Sequence, residues 1–502
     1  MDFLDPKKHR AHMIRLIVGY VLIGLAILIA TTILLYRAYG FGIDKDGEVV
    51  QSGLVFVSSQ PGSADILVDG QKYKDNTNTR IQLPEGTYNI DVKRSGYRDW
   101  NRTIDVEGGS VSRYDYPLLI PQTLTPASVK TYASAPGFST QSPDRQWALV
   151  QTPGTAETVG TFDVYDLSDP EAVAESLASI SLPARVLTGL GAGDHTWKLT
   201  EWSTDNRHVV LEHTYADGSE YILLDREQPE LSQNLTRTLG LKIGQVLSLR
   251  DKKFNAYYVF DPAAKTVASA SIAEATTLTP VLTNVLAFKS YGDDILLYVT
   301  ETDAPAGQVM TMLRDDDVTY KIREIGVGGP YLLDLARYDD SWYVAVGASV
   351  DNKVYVFKNP QNVRKAAKVK NLSPVQILRV TAPNYMAFSS NTRFIMIENG
   401  TSFGVYDAET DKSYTYATSL PLDPGVAHAT WMDGHRLTYV SGGKTVVFDY
   451  DNINFQTLTP AAPGSLPFFD RDYRYLYNMA PPQAEGGQAA LTSTSLSTEQ
   501  DR

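Results

Sequence analysis

Five histidines (His195, His208, His213, His428 and His435), the acidic triplet Asp315-Asp316-Asp317 and the run Gly442-Gly443-Lys444-Thr445 have the side-chain types that carry metals, protons or phosphates. His208 and His213 stand five apart on one expected strand. The period of two sends them to opposite faces, which makes a poor ligand pair, so each histidine reads as a surface or packed residue. The aspartate triplet has the charge for calcium but falls at an expected hairpin tip, where like charges are simply solvated. Gly442-Gly443-Lys444-Thr445 ends like a phosphate loop. That motif needs Gly five positions before Gly443, where this chain has Thr438. Its flanks, Leu437–Val440 and Val446–Phe448, read as strands, so Gly442-Gly443 is expected to be a hairpin turn. His-Glu-x-x-His does not occur. The expectation is no catalytic residue, no cofactor and no metal ligand.

Composition narrows the classes further. The 502 residues suffice for two or more domains, and 43% hydrophobic with 21% charged residues describes a globular chain. Zero cysteines excludes disulfides, thiolate metal sites and cysteine nucleophiles. A net charge of −13 argues against nucleic acid as a partner. Thirty tyrosines and frequent Val and Thr tilt the expectation toward a mainly β protein.

One segment stands apart. Leu16 to Tyr36 carries no charge and at 1.5 Å per residue spans about 31 Å, the thickness of a bilayer core. Leu16, Ile17, Val18, Leu22, Leu25, Ile29, Leu34 and Leu35 would face lipid. Lys7, Lys8, Arg10 and Arg15 precede the run, whereas Arg37 and Lys45 follow among Asp44, Asp46 and Glu48. The asymmetry keeps residues 1–15 cytoplasmic and exports the rest. The run is too long for a signal-peptide core, and YRAYGFG offers no small-x-small cleavage site. A single-pass signal anchor at the cell membrane follows, with the lipid bilayer as one partner.

Residues 37–53 read as a polar linker. Asp44-Lys45-Asp46-Gly47-Glu48 within it is followed by Val49 where a calcium loop has its sixth-position glycine, and the pattern gives no flanking helices. From residue 54 to 120 apolar residues alternate (Val55, Val57; Ile66, Val68; Tyr88, Ile90, Val92; Ile104, Val106), with Asp69-Gly70 as a hairpin turn and Leu83-Pro84-Glu85-Gly86 suited to a type I turn. The pattern gives a small antiparallel β-sandwich. The series Ser59-Gln60-Pro61-Gly62, Val68-Asp69-Gly70, Pro84-Glu85-Gly86-Thr87-Tyr88 and Gly96-Tyr97-Arg98-Asp99-Trp100 closely resembles the PEGA domain, with Thr87 where the family has Ala. The resemblance implies a β-sandwich of surface-exposed prokaryotic proteins, often near a membrane or S-layer, and does not imply catalysis; its motif residues here are Pro84, Glu85, Gly86, Tyr88, Gly96, Tyr97 and Trp100. Tyr97 and Trp100 suit either glycan stacking or internal packing, and packing is expected. Lys93, Arg94 and Arg98 read as a solvated face.

Residues 121–480 repeat a polar turn feeding an apolar strand: Ser142-Pro143-Asp144-Arg145-Gln146-Trp147, Ser203-Thr204-Asp205-Asn206-Arg207-His208 and Ser389-Ser390-Asn391-Thr392-Arg393-Phe394 are three copies. A second strand follows, as in Tyr221–Asp225 and Phe403–Asp407. The spacing clusters near the ~40–50 residues of a propeller blade. The turn resembles those of TolB-type and WD-repeat-like propellers. Seven blades are expected, with eight the alternative and stacked sandwiches a further one. Pro467–Phe469 and Tyr473–Asn478 are expected to close the ring against a strand near Val129–Ala133. The first turn also partly resembles the Asp-box of sialidases, without the glycine before Trp147. Residues 481–502 are small and polar and read as a disordered tail.

The functional expectation is a non-catalytic, membrane-anchored extracytoplasmic binding or scaffold protein of the prokaryotic cell envelope, with envelope polymer or envelope proteins as partners. The alternatives are a subunit of an envelope complex assembled through the propeller and a surface glycan-active enzyme using channel carboxylates, which would need an Asp/Glu cluster at one channel mouth.

Overall fold

The structure, a computed structural model, describes residues 6–38, 40–43, 49–153, 159–188, 193–274, 277–292, 295–362, 372–426, 428–482 and 487–501. The half calcium loop at 44–48 lies outside the described residues. The chain forms two compact units, residues 1–123 with 497–502, and residues 124–496.

The first unit begins with helix α1, Pro6–Ala38. It starts ten residues before the apolar run because proline is favourable at a first helical position and nothing in the basic stretch after it breaks a helix. Arg10 and Arg15 are exposed on it, and Lys7 and Lys8 lie in its first turn. An 18-residue window within His9–Ala38 has a mean hydropathy of 2.6, and none of that window is covered by protein. Leu16, Ile17, Val18, Leu22, Leu25, Ile29, Leu34 and Leu35 are 43–67% exposed. So much uncovered apolar surface makes α1 a candidate membrane anchor or signal.

Two four-stranded sheets follow. One contains Phe41–Ile43, Val49–Val57, Thr79–Pro84 and Val111–Tyr114; the other contains Asp65–Val68, Gln71–Lys72, Gly86–Lys93 and Trp100–Val106. The alternation at Trp100–Val106 becomes strictly alternating burial, and Val55, Ile66, Ile81, Ile90, Val92 and Ile104 form the core at 0–3% exposure. Two expectations need correction. The linker is partly strand, because Phe41–Ile43 pairs with Val49–Gln51 and extends the first sheet. The sandwich is not wholly antiparallel, because Val111–Tyr114 runs parallel to Leu54–Val57. Pro84-Glu85-Gly86 carries the chain from one sheet to the other.

The second unit holds eight four-stranded antiparallel sheets among its described residues: blades 1 to 7 at 139–181, 196–234, 246–283, 285–326, 331–379, 385–417 and 430–460, and blade 8 at 468–495 with Ala127–Tyr132 as its fourth strand. Eight blades, not seven, therefore make the propeller. Ala489–Ser495, read from sequence as tail, is the third strand of blade 8; it bonds Tyr475–Ala480 on one side and Ala127–Tyr132 on the other. The propeller accordingly runs to residue 496 instead of 480. An N-terminal strand completes the last sheet, as expected, but it pairs with Ala489–Ser495 and not with Phe468–Phe469 or Tyr475–Ala480.

Apolar layers join each blade to the next. Phe162 and Leu149 of blade 1 pack with Trp197 and Val209 of blade 2, and comparable layers link blades 2–3, 3–4, 4–5 and 5–6. Phe403 of blade 6 stacks on Tyr439 of blade 7, Thr445 of blade 7 bonds Asn478 of blade 8, and Tyr477 and Leu491 of blade 8 pack with Tyr165 and Val150 of blade 1. This unbroken circuit makes the sheets a closed β-propeller.

The repeated turn is the local reason the blades form. In blade 6 the Ser389 hydroxyl meets Asn391 at 2.7 Å and accepts from Phe394 N at 3.0 Å. Arg393 then reaches Asp407, at the end of the third strand, through Nε and Nη2 at 2.8 and 2.6 Å. Arg207 and Asp225 repeat this two-pronged pair in blade 2 at the same distances. In blade 1 Trp147 N donates to Ser142 at 2.9 Å, so the Asp-box-like stretch is another such turn. Gly442 and Gly443 both have positive φ (58° and 69°) and close the hairpin between Arg436–Ser441 and Lys444–Asp449.

Candidate functional site

The first strand of each blade lines the propeller axis, and polar stitches join these strands around it. Gln141 of blade 1 donates to Phe469 O of blade 8 at 2.7 Å, Leu249 N of blade 3 donates to Glu201 of blade 2 at 2.8 Å, and Trp431 of blade 7 donates to Ala387 O of blade 6 at 3.1 Å. Asp334 of blade 5 accepts from Phe388 N of blade 6 at 3.3 Å and faces the Lys289 ammonium of blade 4 at 3.6 Å.

Between blades 2, 3 and 4 this wall opens into a cavity of about 340 Å³, lined by Lys198, Glu201, Ser248, Lys252, Phe288 and Lys289 among others. Its ammonium groups face carboxylates: Lys252 contacts Glu201, Lys289 faces Asp334, and Lys198 stands across from Glu212 in the strand register. Burial and the like charge of Lys289 bring the Lys252 amine down to about 8, opposed by Asp334. Contact with Glu201 favours the charged form, so Lys252 stays mainly protonated at neutral pH. Burial raises the Asp334 carboxyl against the pull of Lys289 and two backbone N–H groups. The Ser248 hydroxyl is enclosed with no hydrogen-bond partner. Paired donors and acceptors beside a phenyl ring suit reversible binding of a polar ligand. The carboxylates described here, Glu201 and Asp334, are each matched by a lysine, so the acidic cluster that the glycan-enzyme alternative calls for is not what these residues form.

Further round the axis His428 stacks on Tyr385 at 3.7 Å, and burial holds the imidazole below its ordinary value. Tyr385 pairs in register with Glu398, which is 0% exposed and whose carboxyl is raised by burial against bonds from Gly400 N and Ala429 N.

The histidines fall out differently from their sequence reading in one respect. His208 and His213 do face opposite ways: His208 stacks on Phe254 at 4.0 Å and bonds Asp205 at 2.6 Å, while His213 is fully buried. Unforeseen was the contact of His213 with His195, Nε2 to Nδ1 at 3.0 Å, and with Glu220, Nδ1 to Oε1 at 3.0 Å. Burial would raise the Glu220 carboxyl, but bonds from His213, Thr188 and Asn234 outweigh it and bring it down to about 2. The signal was the Ser203–Arg207 turn: pairing outward from it sets Trp197 opposite His213, with His195 diagonal to it. Asp315 and Val318 pair across the expected hairpin tip, where Arg314 holds Asp316 O at 2.7 Å and Asp317 at 3.5 Å. Among the described residues no group of three His, Asp or Glu is spaced to hold a metal ion.

In the first unit the motif residues are structural. Tyr97 and Trp100 are 1% and 3% exposed, and Trp100 meets Tyr116 edge-on at 5.9 Å, so neither ring is open for stacking on a glycan. Glu85 N donates to Gln51 O at 3.0 Å where the chain changes sheet, and the Tyr88 ring lies beside Gly86, 3.5 Å from where a Cβ would stand. Lys93 pairs with Asp99 at 2.7 Å, and burial lowers Arg98, so the expected solvated face is largely engaged.

Residues 52–120 match the family model of the PEGA domain. The chain carries a PEGA domain. That domain is followed by the β-propeller. A search of curated proteins gave no match. Among solved structures, the Dos1 propeller is 12% identical, covering 74% of this chain and 96% of its own at a TM-score of 0.45. The protein lmo1340 from Listeria monocytogenes EGD-e is 12% identical, covering 66% and 92%, at 0.40. An oligogalacturonate lyase in complex with manganese is 14% identical, covering 73% and 99%, at 0.37. At these TM-scores the likenesses carry no argument, and the propeller assignment rests on the strand pairing above.

Proposed function

We propose that this chain is a single-pass, membrane-anchored binding or scaffold protein of the prokaryotic cell envelope, with residues 1–15 cytoplasmic, the PEGA domain and propeller extracytoplasmic, and no catalytic role. One observation carries the reading: an uncovered apolar helix of bilayer length stands directly ahead of a PEGA domain and a closed propeller. The lysines and arginines on the N-terminal side of the apolar run support the orientation. The pairing of Glu201 with Lys252 and of Asp334 with Lys289 supports binding over hydrolysis, because each of these carboxylates is held by an ammonium group.

The test is a pull-down from purified cell-wall material and from detergent-solubilised membranes, using a chain that lacks residues 1–38 and one that also lacks 54–120. Retention on wall material only with the PEGA domain present makes that domain the envelope contact and leaves the propeller as the recognition surface. Capture of stoichiometric membrane proteins by both chains favours an envelope complex assembled through the propeller. Retention of neither chain contradicts the proposal.

A further inference from the structure

Two donors of the PEGA domain point at an acceptor that the domain does not supply. Tyr97 is buried, and its hydroxyl donates to Asp501 Oδ2 at 2.8 Å, lies 3.3 Å from Thr498 Oγ1 and accepts from Thr498 N at 2.9 Å. Among the described residues, every hydrogen bond of that hydroxyl is to residues about 400 positions away. Arg94 donates to Gly62 O, which fixes its guanidinium, and its other prong reaches Asp501 Oδ1. One carboxylate is thus shared between an arginine and a phenol, a charge-assisted arrangement.

The segment that fills this corner is shaped for it. Asp501 N bonds Thr498 O at 3.0 Å, and Thr498 Oγ1 bonds Asp501 Oδ2 at 3.0 Å, so residues 498–501 form a self-capped turn. The Thr498 methyl lies over Gly96, which has a φ of +82° that favours glycine and whose missing Cβ would sit 3.5 Å from that methyl. Residues 497–502 group with the PEGA domain, not with the propeller strand they follow.

We propose that the Arg94–Tyr97 corner is a peptide-binding site of the PEGA domain that recognises a Thr-x-x-Asp turn, and that the chain's own Thr498–Asp501 is its resident ligand. This goes beyond the envelope-binding reading and does not depend on it. The resident turn benefits from covalent attachment, so a free peptide competes poorly unless the turn is removed.

The experiment uses the full-length chain in detergent, intact and truncated after Leu496, with a labelled peptide of the sequence Ser-Thr-Glu-Gln-Asp-Arg. The truncated chain should bind the peptide, and the intact chain at least about tenfold more weakly. An Asp501→Asn change in the peptide should cost about tenfold or more. Equal binding by both chains, or no binding by a truncated chain that keeps its melting transition, overturns the proposal. A second reading needs no truncation: Arg94→Met or Tyr97→Phe in the intact chain should speed carboxypeptidase release of Asp501 about tenfold. An unchanged release rate overturns it as well.

Discussion

The Arg393–Asp407 pair should be one of the costliest single contacts to break in the propeller. Asp407 is 0% exposed and accepts from Arg393 twice, from Glu409 N at 3.0 Å and from Thr410 Oγ1 at 2.9 Å. Burial would lower Arg393, but Asp407 and Glu409 hold it above its ordinary value, so the guanidinium is charged. Removing one partner of a buried pair costs about 3–5 kcal/mol when the other is left uncompensated. Here Arg393 keeps its contact with the half-exposed Glu409, and an asparagine keeps one acceptor oxygen. Asp407→Asn should therefore cost about 2–3 kcal/mol, the worth of a charge-assisted bond plus one donor set against another. Asp225→Asn should cost less, because Arg207 is 29% exposed where Arg393 is 15%. Urea unfolding of the chain lacking residues 1–38 measures both, and hydrogen exchange in blade 6 locates the loss. With Arg393→Met added, the combined cost should fall short of the sum of the single changes by about 1–3 kcal/mol. A loss below about 0.5 kcal/mol for Asp407→Asn, or additive single changes, refutes the idea that the pair fastens the blade.

Glu220 has its carboxyl lowered in the folded chain, so its stabilisation is complete above the usual carboxylate range and is lost as pH falls toward about 2. Glu220→Gln should remove on the order of 3 kcal/mol at pH 7 and flatten the acid-unfolding slope, and an unaltered slope would count against the buried His213–Glu220 contact. Glu398 is raised instead: its ionised form opposes folding, a penalty absent at low pH that grows as pH rises through its folded value. Glu398→Gln should leave the melting temperature at pH 7 equal or higher, and a clear drop in a pH series contradicts that sign. Deleting Ala127–Tyr132 strips the fourth strand from blade 8 and the Tyr132 hydroxyl from Tyr165 and Asp163, at 2.7 and 2.9 Å. The bared edge of Ala489–Ser495 should drive self-association in size-exclusion chromatography, and a monomer of unchanged stability would mean that the ring is not closed there.

What could be read from the sequence was whatever is written in local chemistry. The Asp69-Gly70 and Gly442-Gly443 turns, the serine-led turns of blades 1, 2 and 6 and the apolar run of α1 each announce themselves within a few residues. Ala489–Ser495 did not, because Ala-Ala-Leu-Thr-Ser-Thr-Ser has neither aromatic nor sustained alternation. It is a strand because open edges on both sides satisfy its backbone, a cause that lies up to 366 residues away (Ser493 to Ala127). Phe41–Ile43 was hidden for a similar reason, being three residues beside polar neighbours that gain pairing from Val49–Gln51. The channel pairs Lys252–Glu201 and Lys289–Asp334 join different blades, so no spacing within one segment reveals them.

The most direct test of the account is the sidedness of the chain in an intact cell. Since the protein has no cysteine, Asp2→Cys and Asp75→Cys variants each carry one thiol in an unchanged background. A membrane-impermeant maleimide should label the Asp75→Cys chain in intact cells and the Asp2→Cys chain only after lysis, with both in the membrane fraction. Labelling of Asp2→Cys from outside, shielding of Asp75→Cys until lysis, or recovery of either chain as soluble protein would contradict an extracytoplasmic PEGA domain and propeller held by α1.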